Sequence, residues 1–278
     1  MKLISIIGAT ALMFGTILAS DTVDDRVLKF EKERFSKNKR VEINSVKINT
    51  KKEMPQKGWY GYIIDLDAKM AGKEIKAKDV IFSNGELIAP ELFDIKTGMA
   101  LKDLMNPTLT KDYYDEKKLI AGNPNAKDKL VVFSDPLCPF CMDYLPDVIN
   151  YVKENNDSIA LYYYHFPLLR IHPASAPLSA LMIVAKKDGM ADIELKVYKA
   201  DWDKYFKSNE TDAQKVIDGF NKEFNTAYTI NDIKNEKIGD ELSADISKGD
   251  NVMVQGTPTI FVNGEQDKSK LKYEMLGN

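Results

Sequence analysis

Residues 130–141 read LVVFSDPLCPFC, and this stretch decides the fold of the chain around it. The apolar run at its start predicts a buried strand, and the spacing of apolar residues after Pro139 predicts a helix. Between them stand Cys138 and Cys141, the two cysteines of the 278-residue chain. A chain with one Cys-x-x-Cys pair has little sulfur for cross-linking its own fold, so we expect the pair to act on another molecule.

The position of Cys138 at a helix start predicts a chemistry different from that of Cys141. Pro139 would occupy the first helical position, where its missing N–H costs nothing. Unpaired backbone N–H groups and the positive helix end stabilise a thiolate, so the pKa of Cys138 is expected to fall. Cys141 lies one turn further along the same face and is expected to be less exposed and less acidic. We therefore predict Cys138 as the nucleophile and Cys141 as the thiol that resolves a mixed disulfide.

Two residues beside the cysteines refine this prediction. Phe140 stands between them and adds bulk but no charge, so we expect an intermediate acidity for Cys138. Asp135 precedes the pair and is predicted to cap the turn or the helix, with tuning of Cys138 as the alternative.

Other interpretations of the cysteine pair are a structural bridge and half of a zinc site. A bridge across so short a loop would stabilise the fold by about 2 kcal/mol, which is little for a cross-link. Zinc would need further ligands, and the two histidines of the chain, His165 and His172, are separated by a predicted strand end and a proline. His165 is expected to be a core or edge residue, with tuning of the cysteine site as the alternative, and His172 is expected to be a surface residue. We predict no metal and no cofactor.

Length and charge exclude some classes of protein. A chain of 278 residues suits two domains rather than one small unit. Its 39 Lys and Arg residues are balanced by 42 Asp and Glu residues, so nothing points to nucleic acid as a partner. Residues 1–20 carry one early lysine, a charge-free apolar run and small residues at the end, which indicates a secretory signal peptide; an uncleaved anchor helix is the alternative. Both interpretations predict export.

Residues 21–105 are predicted to form an α+β unit without cysteine or histidine. The spacing of apolar residues favours a helix at 22–35, and alternation predicts strands at 41–48 and 60–66, the first of them with a bulge. Asn84-Gly85 between apolar runs predicts a hairpin, and residues 97–105 are expected to be helical. The polar residues 106–118 are predicted to be the end of a linker, with a helix as the alternative.

Residues 119–278 change pattern and predict an α/β domain. The aromatic run at 159–166, which includes three consecutive tyrosines, suits a central strand covered on both faces. Four helical patterns follow at about 175–248, one of them with a capping pair of Thr211 and Gln214. Residues 259–262 are predicted to be a last strand, ended by Asn-Gly.

Two motifs of this second half resemble those of the Dsb-type thioredoxin-fold proteins of the bacterial periplasm. The first runs from Gly122-Asn123-Pro124 through the strand to the Cys-Pro-Phe-Cys sequence, and the second is the stretch 254–264, VQGTPTIFVNG. The resemblance implies a thioredoxin fold with a helical insertion. It also implies that Pro258 is cis and lies against the Cys138 sulfur, and that the Thr257 backbone pairs with an extended substrate.

Two details of the resemblance favour the isomerase branch, similar to DsbC and DsbG. Thr257 precedes the proline as in isomerases, and the N-terminal unit resembles in length and pattern their cystatin-like dimerisation domain. One departure concerns Val132, because thioredoxins and some oxidases bury an acid at the corresponding position. Proton transfer to and from Cys141 must then use water or another group.

The resemblance implies a periplasmic homodimer that isomerises or reduces wrong disulfides in secreted proteins. Its partners would be unfolded or misoxidised secreted proteins and a membrane or periplasmic redox protein. Two alternatives remain open at this point: a dithiol oxidase similar to DsbA, and a periplasmic chaperone in which the cysteines are incidental.

Overall fold

The computed structural model describes residues 22–277, and the predicted signal peptide at 1–20 lies outside them. The chain divides into two compact units, one that ends at Met105 and one that begins at Asn106. Among residues 22–277, no helix combines the length and the apolar character that crossing a membrane requires.

The first unit is a helix followed by an antiparallel sheet. Helix α1 is capped by the Thr22 side chain, which accepts a hydrogen bond from the Asp25 N–H. The four strands pair in the order of the sequence, and β1 carries the predicted bulge beside Asn44. These elements are α1 (Val23–Ser36), β1 (Val41–Glu53), β2 (Tyr60–Met70), β3 (Lys73–Ser83) and β4 (Ile88–Ala89).

The end of the first unit differs from the prediction of a helix at 97–105. The structure has one 3-10 turn there, Leu101–Leu104. The chain before it forms a tight turn, in which the Asp94 carboxylate accepts hydrogen bonds from the N–H groups of Lys96 and Thr97. Gly98 then has a φ of 71°, which no right-handed helix contains. The Asp94 side chain thus pairs the local N–H groups in a turn, and the predicted helix does not form.

Residues 106–118, predicted to be the end of a linker, pack on the second unit. Two 3-10 turns, Lys111–Tyr113 and Glu116–Lys118, follow each other here. The ring of Tyr113 is buried against Phe133 and Tyr164. The apolar area of that ring explains why a segment rich in charged residues is held on the domain.

The second unit contains a five-stranded mixed sheet. Its order is β5-β7-β6-β8-β9, and β6 and β7 are parallel neighbours connected by a helix. The remaining pairs are antiparallel. The strands are β5 (Leu119–Gly122), β6 (Asp128–Ser134), β7 (Ile159–His165), β8 (Thr259–Val262) and β9 (Glu265–Gln266).

Six helices of the second unit are α2 (Pro139–Glu154), α3 (Ser175–Lys187), α4 (Ile193–Lys199), α5 (Ala213–Phe224), α6 (Ile230–Ile233) and α7 (Glu236–Asn251). The predicted cap at Thr211 is wrong by one residue, because Asp212 accepts the hydrogen bond from the Gln214 N–H. The last of the four predicted helical patterns, at about residues 230–246, is divided into α6 and α7, since Asn235 caps a new helix.

The sheet of the second unit has a core on each face, as the aromatic run predicted. Alternate residues of β7 belong to different cores: Tyr163 packs with Cys141 and α2, whereas Tyr162 and Tyr164 pack on the opposite face. All three tyrosines are buried. The face toward which Tyr163 points is therefore the face that carries the cysteines.

Candidate active site

The first residues of α2 hold both cysteines. Cys138 is the N-cap residue and Pro139 is the first helical residue, as predicted. Both cysteines are free thiols and both are buried, Cys138 with 4% of its surface exposed and Cys141 with none. The expected order of exposure is confirmed, although the difference is small.

The Cys138 thiol is acidic. A hydrogen bond from the Cys141 thiol is the largest influence on its pKa, which falls from the ordinary 9.0 to about 5. Burial acts in the opposite direction, and hydrogen bonds from the Thr257 side chain and from the backbone N–H groups of Cys141 and Phe140 lower the pKa further. The sequence had assigned this effect to the helix end, which contributes less than the second thiol. A pKa of about 5 lies between the values of about 3.5 and about 7 known for Cys-x-x-Cys motifs, so the predicted intermediate acidity is confirmed.

Cys141 has the opposite chemistry. Burial raises the pKa of its thiol far above the usual range, and the hydrogen bond that it donates to Cys138 raises it further. The Ser134 side chain and the Asp135 N–H hydrogen-bond the Cys141 sulfur and lower the pKa in part. At neutral pH the pair thus holds one thiolate, on Cys138, and one proton, on Cys141.

The loop before β8 lies beside the Cys138 sulfur. The Thr257–Pro258 peptide bond is cis, as the resemblance implied. The Cys138 thiol is 3.4 Å from the Thr257 carbonyl oxygen, to which the neutral thiol donates. Thr259 fastens the loop, since its hydroxyl donates to the Gly256 carbonyl at 2.7 Å.

Asp135 is a buried anchor for the loops around the cysteines. Its carboxylate accepts hydrogen bonds from the Leu137 N–H, the Leu168 N–H and the Ser175 hydroxyl, and contacts His172 Nδ1 at 2.9 Å. Capping of the turn is therefore correct, but the carboxylate also joins the loop after β7 and the start of α3. The prediction of His172 as a surface residue is wrong, because its pairing with Asp135 buries it.

The surface beside the cysteines is apolar. Phe140 is 73% exposed, and the loop held by Asp135 exposes Leu169 and Ile171. Neither side chain of this loop was singled out by the sequence analysis. Exposed apolar side chains next to a reactive sulfur are typical of a surface that binds unfolded polypeptide.

His165 is a buried core residue. Its ring packs against the ring of Tyr163, with 4.9 Å between the centroids. Burial lowers the pKa of His165 well below its usual value, so it is neutral at neutral pH. Within the described part of the chain, no group of three or more His, Cys, Asp or Glu side chains is arranged to hold a metal ion.

A hydrogen-bonded chain of hydroxyls behind Cys141 was missed by the sequence analysis. The Tyr198 hydroxyl donates to Ser134 Oγ at 2.7 Å, and the hydroxyls of Tyr198 and Tyr163 are 2.8 Å apart. These residues come from β6, α4 and β7. The buried tyrosines of β7 were visible in the sequence, but nothing there connects them with Tyr198.

Comparison with known proteins identifies the second unit. The family model described as Thioredoxin matches residues 115–278, more than half of the chain, and confirms the predicted thioredoxin fold. No curated protein sequence matches the chain.

Solved structures of similar fold include three bacterial proteins. The DsbA2 protein of Pseudomonas aeruginosa is 21% identical over 55% of this chain and 89% of its own, with a TM-score of 0.41. A thioredoxin-like oxidoreductase from Silicibacter pomeroyi is 18% identical over 59% of this chain and 94% of its own, with a TM-score of 0.45. The catalytic domain of Proteus mirabilis ScsC is 18% identical over 58% of this chain and 88% of its own, with a TM-score of 0.42.

Proposed function

Since this chain belongs to the thioredoxin family, we propose that its Cys138–Cys141 pair isomerises or reduces wrong disulfides in exported proteins. The chain is an enzyme of the thiol-disulfide oxidoreductase class. The observation that carries the proposal is the division of labour between the two sulfurs: an ionised Cys138 beside a protonated, buried Cys141.

The proposed reaction begins with attack by the Cys138 thiolate on a substrate disulfide. A Cys138–substrate bond forms, the substrate S–S bond breaks, and the second substrate sulfur leaves with the electron pair as a thiolate. In isomerisation, another substrate thiolate then attacks the mixed disulfide and releases Cys138 unchanged. In reduction, Cys141 attacks Cys138, becomes oxidised with it to a disulfide, and releases a reduced substrate.

The cis-proline loop and the apolar surface support substrate binding in this proposal. Thr257 and Pro258 are proposed to align an extended substrate beside Cys138 through backbone hydrogen bonds. Phe140, Leu169 and Ile171 would contact apolar side chains of the unfolded substrate. Unfolded proteins expose such side chains, whereas native ones bury them.

A test of the activity uses a scrambled multi-disulfide protein, refolded with the reduced chain or with its Cys138→Ala variant. The proposal expects the chain to accelerate recovery of native disulfides and the variant to lose that acceleration. Equal recovery with both proteins would refute catalysis by the pair and favour the chaperone interpretation. The Cys141→Ala variant separates the two activities, since isomerisation by Cys138 alone persists whereas reduction stops.

A dithiol oxidase is the second candidate, and the low pKa of Cys138 favours it. A stabilised thiolate stabilises the reduced form and makes the disulfide a stronger oxidant. Isomerase and oxidase differ in the redox state of the pair in the cell, which is reduced for the former and oxidised for the latter. Trapping free thiols with an alkylating reagent of known mass, immediately after lysis, distinguishes them.

Export to the periplasm and formation of a homodimer belong to the same proposal. The N-terminal unit exposes Phe93, Ile95 and Met99, and Ile95 is 98% exposed. Apolar side chains at that exposure are available to a second copy. A mass measurement in solution of the chain from residue 21, beside the unit 106–278, tests the dimer: the longer protein is expected to be dimeric and the shorter one monomeric.

A further inference from the structure

Cys141 is fully buried, so the exchange of its proton needs a partner inside the core. Val132 is fully buried in the same core, at the position where the family resemblance led us to expect an acid. The buried carboxylate nearest in sequence, Asp135, is committed to the loops and to His172. Yet Cys141 must lose its proton when it attacks the mixed disulfide, because the thiolate is the nucleophile.

The Ser134 side chain lowers the pKa of Cys141 as a hydrogen-bond donor, and Cys141 shares its core with Tyr163 and Tyr198. The Ser134 hydroxyl is the first member of a continuous chain that leads to those two tyrosines. Ser134 accepts a hydrogen bond from Tyr198, and Tyr198 is 2.8 Å from the hydroxyl of Tyr163. Since Tyr198 gives its proton to Ser134, Tyr163 is the donor to Tyr198. All three residues are buried, so each hydroxyl exchanges protons with the next one rather than with bulk solvent.

Tyr163, the far member of the chain, lines a cavity of about 320 Å³. Its wall includes Glu194, which is 6% exposed and accepts a hydrogen bond from Lys186 at 2.8 Å. Lys118, Lys187 and Glu241 also line it. A cavity of this size is large enough for water, and the charged side chains in its wall can hydrogen-bond that water. The cavity therefore offers both water and a carboxylate as proton acceptors at the end of the hydroxyl chain.

We propose that Ser134, Tyr198 and Tyr163 form a proton relay between Cys141 and this cavity, in the place of a buried acid. The hydroxyls of the structure point toward Cys141, which is the orientation that returns a proton to it. As Cys141 attacks Cys138, the three hydroxyls turn to the opposite orientation: the Cys141 proton moves to Ser134, the Ser134 proton to Tyr198, the Tyr198 proton to Tyr163, and the Tyr163 proton enters the cavity. The Cys138–Cys141 bond forms, the mixed disulfide breaks, and the departing sulfur takes the electron pair. In the reverse reaction every step runs backward, and Cys141 regains its proton.

The tyrosines suit a relay in which protons move together. Burial raises the pKa of Tyr163 and that of Tyr198 well above the usual value. Neither hydroxyl can hold a negative charge for long, so each must accept one proton as it gives up another. The relay rests on the proposed function of the cysteine pair and names how its resolving thiol exchanges protons.

The test observes the resolving step alone, in the full chain. Reaction with an aromatic disulfide reagent places 5-thio-2-nitrobenzoate on Cys138, and attack by Cys141 releases it as a coloured thiolate. In the Tyr198→Phe variant we expect the release rate at neutral pH to fall by about tenfold to a hundredfold, because proton transfer by a positioned group contributes at least that much. The rate of the variant should also rise more steeply with pH, since hydroxide must now take the proton.

The matched control is Tyr164→Phe. Tyr164 is a buried tyrosine of the same strand, and its hydroxyl donates to the Tyr113 carbonyl at 3.1 Å on the opposite face of the sheet. The relay would be overturned if Tyr198→Phe had the same release rate and the same pH slope as Tyr164→Phe and the wild type. Tyr163→Phe is a second relay variant for the case that Tyr198→Phe does not fold, and the same slowing is expected.

One measurement needs no substitution. In heavy water the wild type should release the coloured thiolate more slowly, because protons move in the step; an unchanged rate would refute the relay. Failure of the proposed function is distinguishable: a wild type that never forms or resolves the mixed disulfide refutes the activity itself. Normal resolution in the wild type and in both relay variants refutes the relay alone.

Discussion

Replacing Thr257 by valine removes one hydroxyl beside Cys138 and keeps the shape of the side chain. The Thr257 side chain lowers the pKa of the Cys138 thiol. In the part of the chain that the structure describes, this buried hydroxyl makes no hydrogen bond of regular geometry, so its effect on the pKa of Cys138 is that of a donor available to the thiolate. Thr257→Val therefore removes an interaction with the thiolate and no hydrogen bond elsewhere.

The size of the effect follows from the strength of one hydrogen bond to a charged group, about 1.5–3 kcal/mol. One pKa unit corresponds to about 1.4 kcal/mol, so we expect the pKa to rise by about one to two units. The midpoint should move from about 5 to about 6–7. The thiolate of the reduced form loses stability, so the reduction potential should fall by about 30–60 mV, because 30 mV corresponds to about 1.4 kcal/mol.

The assay is a titration of the ultraviolet thiolate absorbance of the reduced protein. Cys141 does not interfere, since its pKa is raised far above the range titrated. Thr259→Val is the matched control: it removes a hydroxyl of the same loop, one that donates to the Gly256 carbonyl instead of to the sulfur. A Thr257→Val midpoint that coincides with those of the wild type and the control would refute the assigned hydrogen bond.

Three further predictions concern stability, each measured by urea unfolding of the reduced protein. The lowered pKa of Cys138 stabilises the fold fully above the unfolded pKa of 9.0 and not at all below about 5. The free energy of unfolding of the wild type should therefore exceed that of Cys138→Ser by about 3 kcal/mol at neutral pH, and this difference should vanish below pH ~5. A difference that does not change with pH would contradict the assignment of a thiolate to Cys138. Asp135→Ala should cost about 3–5 kcal/mol, because it removes the carboxylate that several buried donors share; a loss below ~1 kcal/mol would contradict the anchor. In α7, Gly239→Ala should stabilise by about 0.5–1 kcal/mol, since a Cβ there meets nothing within 4 Å. Gly249→Ala should instead destabilise by about 1–3 kcal/mol, because its Cβ would lie 2.5 Å from the Phe166 ring; equal signs would contradict the packing.

Features set by neighbouring residues were predictable from the sequence. The hairpin at Asn84-Gly85 follows from local chemistry: Gly85 has a φ of 91°, and the Asn84 side chain accepts the N–H groups of Glu86 and Leu87. The strand, turn and helix that carry the cysteines are local in the same sense. Proline is favoured at the first position of a helix whatever surrounds that helix, so it predicts a helix start from sequence alone.

Features set by distant residues were not predictable. His172 was expected at the surface because it precedes Pro173 in a predicted loop. Its burial depends on a carboxylate 37 positions earlier. Tyr113 is fixed by rings that follow it in the chain by 20 residues and more. Patterns within a window of a few residues carry no information about such partners.

The candidate site combines both kinds of feature. The acidity of Cys138 was expected from the helix start, yet its largest cause is the thiol of Cys141 one turn later. That hydrogen bond leaves the proton on Cys141, which lies in the core where burial opposes its ionisation. Cys138 therefore attacks a disulfide readily, whereas Cys141 must lose its proton before it can resolve the mixed disulfide. A site built this way requires a proton exit from the core, and the hydroxyls of Ser134, Tyr198 and Tyr163 lead away from that sulfur toward a cavity with a carboxylate in its wall.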